Sequence, residues 1–275
     1  MTIPAELVPV GAVSVMPMTE AEVADHVATA WQHGEGGSIL TVNVDILRSL
    51  SRHSELAVLA ENAEIVVADG MPLVWAASLA GYTVPERVTG ASLVSTLAEA
   101  AAGSARSVYL VGGEPGVPEA AGRALAERFP GLRVAGTDSP PFGFEKDPEQ
   151  VAALVDRIAT ARPDLVLVGL GFPKQERLIA RLRPLLPAAW MLGCGAGIPF
   201  AAGQFRRAPA FLQRIGAEWL YRLLLEPRRL ARRYLLHDLP FAILLLATAL
   251  TVRVGRTRSV LPPDDSLPPR RPAHR

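Results

Sequence analysis

A single cysteine, Cys194, in 275 residues excludes an internal disulfide and fits a reducing compartment, with the cytosol as default. Histidine is scarce: His26, His33, His53, His237 and His274 form no ligand cluster, and the expected folded region has no Asp-x-Asp pair, so a protein-held metal is not expected. Charge of one sign is lacking too. A net charge of +1 argues against a globally basic nucleic-acid binder. The opening MTIPAELVPVGAVSV has Glu6 and no early Lys or Arg, unlike a secretory signal. The apolar stretch at 239–250, bounded by His237, Asp238 and Pro240, falls short of the roughly 20 residues that cross a bilayer. No internal repeat is evident.

What is present is alternation. Six β-rich apolar runs, at 39–44, 65–68, 107–111, 132–135, 165–168 and 189–192, are separated by helix-like segments such as 71–79, 91–102, 118–129 and 147–161. This order predicts an α/β fold: a Rossmann-like parallel sheet with helices on both faces. The reading divides the chain into an N-terminal extension and first helix (1–36), a core (37–204), an arginine-rich helical appendage with the apolar stretch (205–255) and a disordered, proline-rich tail (256–275).

Each strand end carries something unusual: Thr41, Asn43 and Asp45; Asp69 and Gly70; Gly112 and Gly113; GLG with Gly169 and Gly171; and GCGAG with Gly195. Ligands collect at the carboxyl ends of strands in open parallel sheets, so this edge reads as the binding face. In PDLVLVGLGFPKQE, at 163–176, a buried strand stops in a glycine turn and hands over to a helix, next to Lys174, Gln175 and Glu176.

Asp69 reads either as the N-cap of the helix at 71–79 or as a general base at the sheet edge. Arg87 is a solvated charge or, with Thr89 and Gly90, part of a helix start facing a phosphate. Lys174, Gln175 and Glu176 stand where chemistry is usually done; Gln175 and Glu176 read either as first-turn residues that only favour the helix dipole or as ligand contacts, and placement beside GLG favours contact for Gln175. Cys194 is expected to be a small buried residue rather than a nucleophile. Neither GLGFPK nor GCGAGI completes the dinucleotide fingerprint, because positions 174 and 198 are Lys and Ile, and VGGEPG is no P-loop. Between 206 and 233, Arg206, Arg207, Arg214, Arg222, Arg228, Arg229, Arg232 and Arg233 face only Glu218 and Glu226. With Trp219, Leu220, Leu223 and Leu224 at helical spacing, this segment suits an anionic membrane surface.

Taken together, TVNVD, VVADGMPLVWA, RVTG, VGGEPGV, PDLVLVGLGFPKQE and RRAPAFLQRIGAEWLYRLLLEPRRLARRYL resemble the WecG/TagA/CpsF family of bacterial glycosyltransferases over residues 37–235. The resemblance implies inverting, metal-independent transfer of a hexose or N-acetylhexosamine from a UDP-sugar to a polyprenyl-diphosphate-linked sugar, in teichoic acid, common-antigen or capsule synthesis. It implies that Asp69 deprotonates the acceptor hydroxyl, that Thr41 and Asn43 line the pocket, and that Arg87 and Gln175 hold donor or acceptor. Arg222, Arg229 and Arg232 would steady the departing diphosphate as the appendage closes over the site at the inner face of the plasma membrane. No cofactor or nucleic acid is implied; a homo-oligomer is open. Pro199 departs from the pattern, standing where the family commonly has an acidic residue, and the apolar stretch after His237 is longer than the pattern. The rivals are a nucleotide-binding module without catalysis and a nucleic-acid binder using the arginines.

Overall fold

The computed structural model describes residues 6–204, 221, 223, 231–232 and 234–259. Its centre is a six-stranded, all-parallel sheet of β3 (Gly37–Val42), β4 (Ile65–Ala68), β5 (Ser107–Gly112), β6 (Arg133–Asp138), β7 (Leu165–Gly169) and β8 (Trp190–Gly193), in the order β4-β3-β8-β7-β5-β6. All six expected strands form.

Alternate residues of each strand part into two layers, as the pleat requires. Ile39, Ile65, Leu110, Leu165, Leu167 and Leu192 enter one core with α1 (Glu20–Gln32), α5 (Gly90–Gly103), α6 (Val117–Arg128) and α9 (Gly197–Ala201). Leu40, Val42, Val66 and Ala68 face α2 (Val44–Arg52), α3 (Ser54–Glu61) and α4 (Met71–Leu79), while Val111, Val166, Val168 and Met191 face α7 (Pro148–Ala161) and α8 (Lys174–Leu182). Both faces are covered, which is why the strands read as continuous apolar runs.

Two features differ from the sequence expectation. A small antiparallel hairpin, β1 (Val8–Val10) with β2 (Val13–Val15), precedes α1 and buries Val8, Val10 and Val15 in the core under β3 and β4. The apolar stretch does not stop at 239–250: a π-helical turn, Tyr234–Asp238, runs into α10 (Leu239–Ser259). The 20 residues Tyr234–Arg253 are long and apolar enough to cross a membrane by length and composition, which corrects the expectation. Pro240 does not end the helix: it falls directly after the π-helical turn, where the hydrogen-bond ladder is already shifted. α10 packs against α4 and α2, with Ala242, Leu245 and Ala249 buried. The expected tail from 260 onward lies outside the described residues.

Candidate active site

The tips of β3 and β4 are laced together by the Asp69 N–H, which donates to the Val42 carbonyl at 2.8 Å, and the following segment is held alongside by the Val88 N–H donating to the Ala68 carbonyl at 3.0 Å. That second bond brings Arg87, half-buried, to the strand-tip edge. Gly70, at φ 145°, takes the N-cap position of α4, so the capping role considered for Asp69 is not the one observed. Instead, Asp69 Oδ2 faces the Gly90 N–H at 3.5 Å, at the start of α5. Thr89 caps α5 through its hydroxyl, which accepts from the Ser92 N–H at 3.0 Å. Asn43 caps α2 in the same way, its side-chain oxygen accepting from the Ile46 N–H at 3.0 Å.

Gly90 is closely packed against its neighbours. A Cβ there would sit 3.1 Å from Thr41 Oγ1 and 3.1 Å from Cys194 Cα. Thr41, Asp69, Gly90 and the β8 turn therefore converge at one point of the carboxyl edge, and Thr41 itself is buried.

On the other side of β3 the glycine turns stack on one another. A Cβ on Gly112 would lie 2.4 Å from the Gly169 carbonyl oxygen, and one on Gly169 would lie 2.7 Å from that of Gly195. These glycines let backbone touch backbone. Gly113 places its carbonyl to accept from Ser139 Oγ at 2.7 Å, while Gly171 and Gly195, both at positive φ, stand in open space.

Gln175 is the clamp between two of these turns. Its Oε1 accepts from the Gly171 and Gly195 N–H groups, both at 3.1 Å, and its Nε2 donates to Glu176 Oε1 at 2.7 Å. The side chain is 3% exposed, so its visible task is to fix the loops. Glu176 has more to do than the sequence suggested. It is buried, its Oε2 has no hydrogen-bond partner among the described residues, and burial raises its pKa to about 7. The signal sequence reading missed is the pairing of a Gln-Glu dipeptide with Gly193, where a Cβ would lie 2.6 Å from Gln175 Nε2 and 2.7 Å from Glu176 Oε1.

Lys174 turns away to an ion pair with Glu145 at 2.6 Å and stacks over the exposed Phe142 ring. Cys194 is buried, and its thiol is pushed up to about 12 by that burial, which leaves it unreactive at neutral pH. Pro199 lies within α9. Arg232 is exposed; Arg222 and Arg229 lie outside the described residues. The described residues contain no cluster of His, Cys, Asp or Glu suited to a metal ion.

A partly sheltered carboxylate, a buried hydroxyl, a helix start and glycine turns on one sheet edge can receive a phosphorylated ligand and move a proton from a hydroxyl. The sequence profile of the glycosyl transferase WecG/TagA/CpsF family matches residues 8–255. Among named relatives, the N-acetylglucosaminyldiphosphoundecaprenol N-acetyl-beta-D-mannosaminyltransferase of Bacillus spizizenii (strain W23) is 31% identical over 208 residues, covering 75% of this chain and 79% of that one. The enzymes of the same name from Bacillus subtilis (strain 168), 29% identical over 72% of this chain and 75% of its own, and Staphylococcus aureus (strain NCTC 8325), 31% identical over 70% and 74%, are similar to it as well. This chain belongs to the WecG/TagA/CpsF family of glycosyltransferases.

Proposed function

We propose that this glycosyltransferase moves an N-acetylhexosamine or hexose, with N-acetylmannosamine first among candidates, from a UDP-sugar to a polyprenyl-diphosphate-linked sugar, inverting the anomeric centre without a metal. The observation that carries the reading is the convergence of Asp69 with Thr41 and the start of α5 at the carboxyl edge. The names of the relatives, which combine a lipid-diphosphate acceptor with mannosaminyl transfer, support the substrate class.

In this mechanism Asp69 takes the proton of the acceptor hydroxyl as its oxygen attacks the anomeric carbon. The bond to the nucleotide breaks on the opposite face, and UDP leaves with the electron pair. Thr41 and Asn43 line the acceptor side, with Arg87 at its border. The turns at Gly112–Gly113, Gly169–Gly171 and Gly195 let the donor phosphates approach the backbone closely, while Gln175, which takes the Gly171 and Gly195 N–H groups for itself, holds the turns in register. Arg222, Arg229 and Arg232 stabilise charge on the departing diphosphate, the task a metal has elsewhere. The enzyme works at the cytoplasmic face of the membrane, where both substrates meet, and builds a cell-surface polymer.

The test offers UDP-N-acetylmannosamine, UDP-N-acetylglucosamine and UDP-glucose to the full chain with a lipid-linked N-acetylglucosamine diphosphate acceptor, with and without EDTA. EDTA-insensitive transfer from one donor, with inverted linkage, supports the proposal. Nucleotide binding with no transfer from any donor overturns it in favour of a non-catalytic module.

A further inference from the structure

The described part of the appendage has two faces. Ala242, Leu245 and Ala249 of α10 are buried against the body of the protein, on the side that meets α4 and α2. A turn away, Leu239, Ile243, Leu244 and Leu250 are exposed, the middle pair at 60% and 62%. At about 100° per residue Ile243 and Leu244 fall about 130° from the docked stripe, on its far side, and Leu239 and Leu250 lie at its flank. No charged residue interrupts 239–252. The two hydroxyls on the outer side are satisfied internally, Thr248 Oγ1 donating to the Leu244 carbonyl at 2.9 Å and Thr251 Oγ1 to that of Thr248 at 2.7 Å. Such back-bonding leaves their surface without a need for water. Trp75, on α4 beside this helix, is 45% exposed, an amphipathic ring of the kind that sits at headgroup level.

We propose that α10 lies flat in the cytoplasmic leaflet as a second foot of the protein, paired with Trp75 of α4, and does not cross the bilayer, although its length permits crossing. This rests on the lipid-linked acceptor reading and specifies how the core meets that acceptor. Residues 239–252 span about 21 Å as a helix, less than the hydrocarbon core of about 30 Å. Reaching the full 20 residues requires the turn Tyr234–Asp238, and Asp238 is held to Arg48 of α2 at 3.5 Å. A crossing helix would strip Leu245 and Ala249 from the core they fill. The occupant is an anionic bilayer: Arg232 precedes the apolar face, while Arg253, Arg256 and Arg258 follow it. The buried side of α10 rests on the helix that begins beside Asp69, so this orientation turns the strand-tip edge toward the headgroups, where a polyprenyl diphosphate presents its sugar.

The test uses the full chain with vesicles of phosphatidylglycerol and phosphatidylethanolamine. The chain floats with the vesicles and is released by alkaline carbonate. Brominated lipids quench the wild type more than Trp75→Phe, and Ile243→Glu/Leu244→Glu lowers flotation at least tenfold without changing Tm. In inside-out vesicles from expressing cells, the thiol of Ser259→Cys reacts with an impermeant maleimide added outside; buried Cys194 stays silent. A thiol labelled only after detergent shows crossing and overturns the proposal, as does absence of flotation, or concentration-dependent dimerisation that the double variant abolishes while flotation stays intact. Transfer to a short-chain, water-soluble acceptor is measured in parallel. If the double variant keeps it, the lipid foot is separate from the chemistry; if the wild type lacks it yet floats, the reaction assigned to the site fails and the foot stands.

Discussion

The Asp69 carboxylate stands 3.5 Å from the Gly90 amide nitrogen, so the tip of β4 and the first turn of α5 meet through a carboxylate rather than through a cap of α4. In the proposed reaction a substrate hydroxyl replaces this long contact.

Asp69→Asn keeps the shape and removes the proposed base. Transfer should fall about 10²- to 10⁴-fold, the usual worth of a general base, while UDP affinity stays within a few-fold. Steady-state transfer and calorimetric UDP titration check this. Wild-type turnover would remove Asp69 as base.

Gln175→Leu should orphan two N–H groups and the buried Glu176 together. An unsatisfied buried group costs about 1–3 kcal/mol and the two half-buried N–H groups less each, so a loss of about 2–5 kcal/mol is expected in urea denaturation, with transfer lowered through disordered turns. A fully stable variant would contradict the clamp.

Glu176 gives a pH signature. Its folded pKa, raised to about 7 from 4.5, means that the folded state binds more protons than the unfolded state between those values. Stability therefore falls as pH rises through that window, by about 3 kcal/mol at most, and levels off above it. Glu176→Gln should flatten this part of the curve and be the more stable protein at pH 8. Urea midpoints from pH 4.5 to 8 decide it.

The glycine turns separate two kinds of constraint. Gly112→Ala meets the Gly169 backbone at 2.4 Å as well as an unfavourable φ of 117°, whereas Gly171→Ala meets only φ 76° in open space. The second should cost about 1–2 kcal/mol and the first clearly more. Equal Tm values would refute the stacking of strand tips.

A chain ending at Gly203 should show a lower Tm as well as little transfer, because Phe241, Leu245, Leu246 and Ala249 of α10 pack in the core of α2 and α4. Full stability would mean that α10 rests on a surface that needs no cover.

Five of the six strands were legible because each is buried on both faces and is mostly apolar. Where burial weakens, so does the reading: β6, exposed at the sheet edge, runs three residues further than its apolar letters, and the expected first strand overran into the cap at Asn43. The hairpin Val8–Val10 with Val13–Val15 was invisible, since three-residue strands give no period to detect. Pro240 and Asp238 look like breakers in one dimension; a place directly after a π-helical turn for one and an Arg48 partner for the other make them helix components. That these residues share one sheet edge followed from topology, but their contacts within it did not. Gln175 looks like a ligand residue until the turns at 171 and 195 are seen to close on its oxygen, an encounter between loops 24 positions apart.

β8 threads between β3 and β7, with Ile39 aligned to Leu192 and Leu167 to the same residue. The middle of the sheet is thus its last-made piece. During synthesis β3 waits for roughly 150 further residues, about 8–30 s at ordinary translation speeds, with one long edge unsatisfied. Until then neither half of the edge that carries Asp69 and the glycine turns has its neighbour, so a ribosome-bound fragment short of β8 is inert, adhesive and a natural client for chaperones.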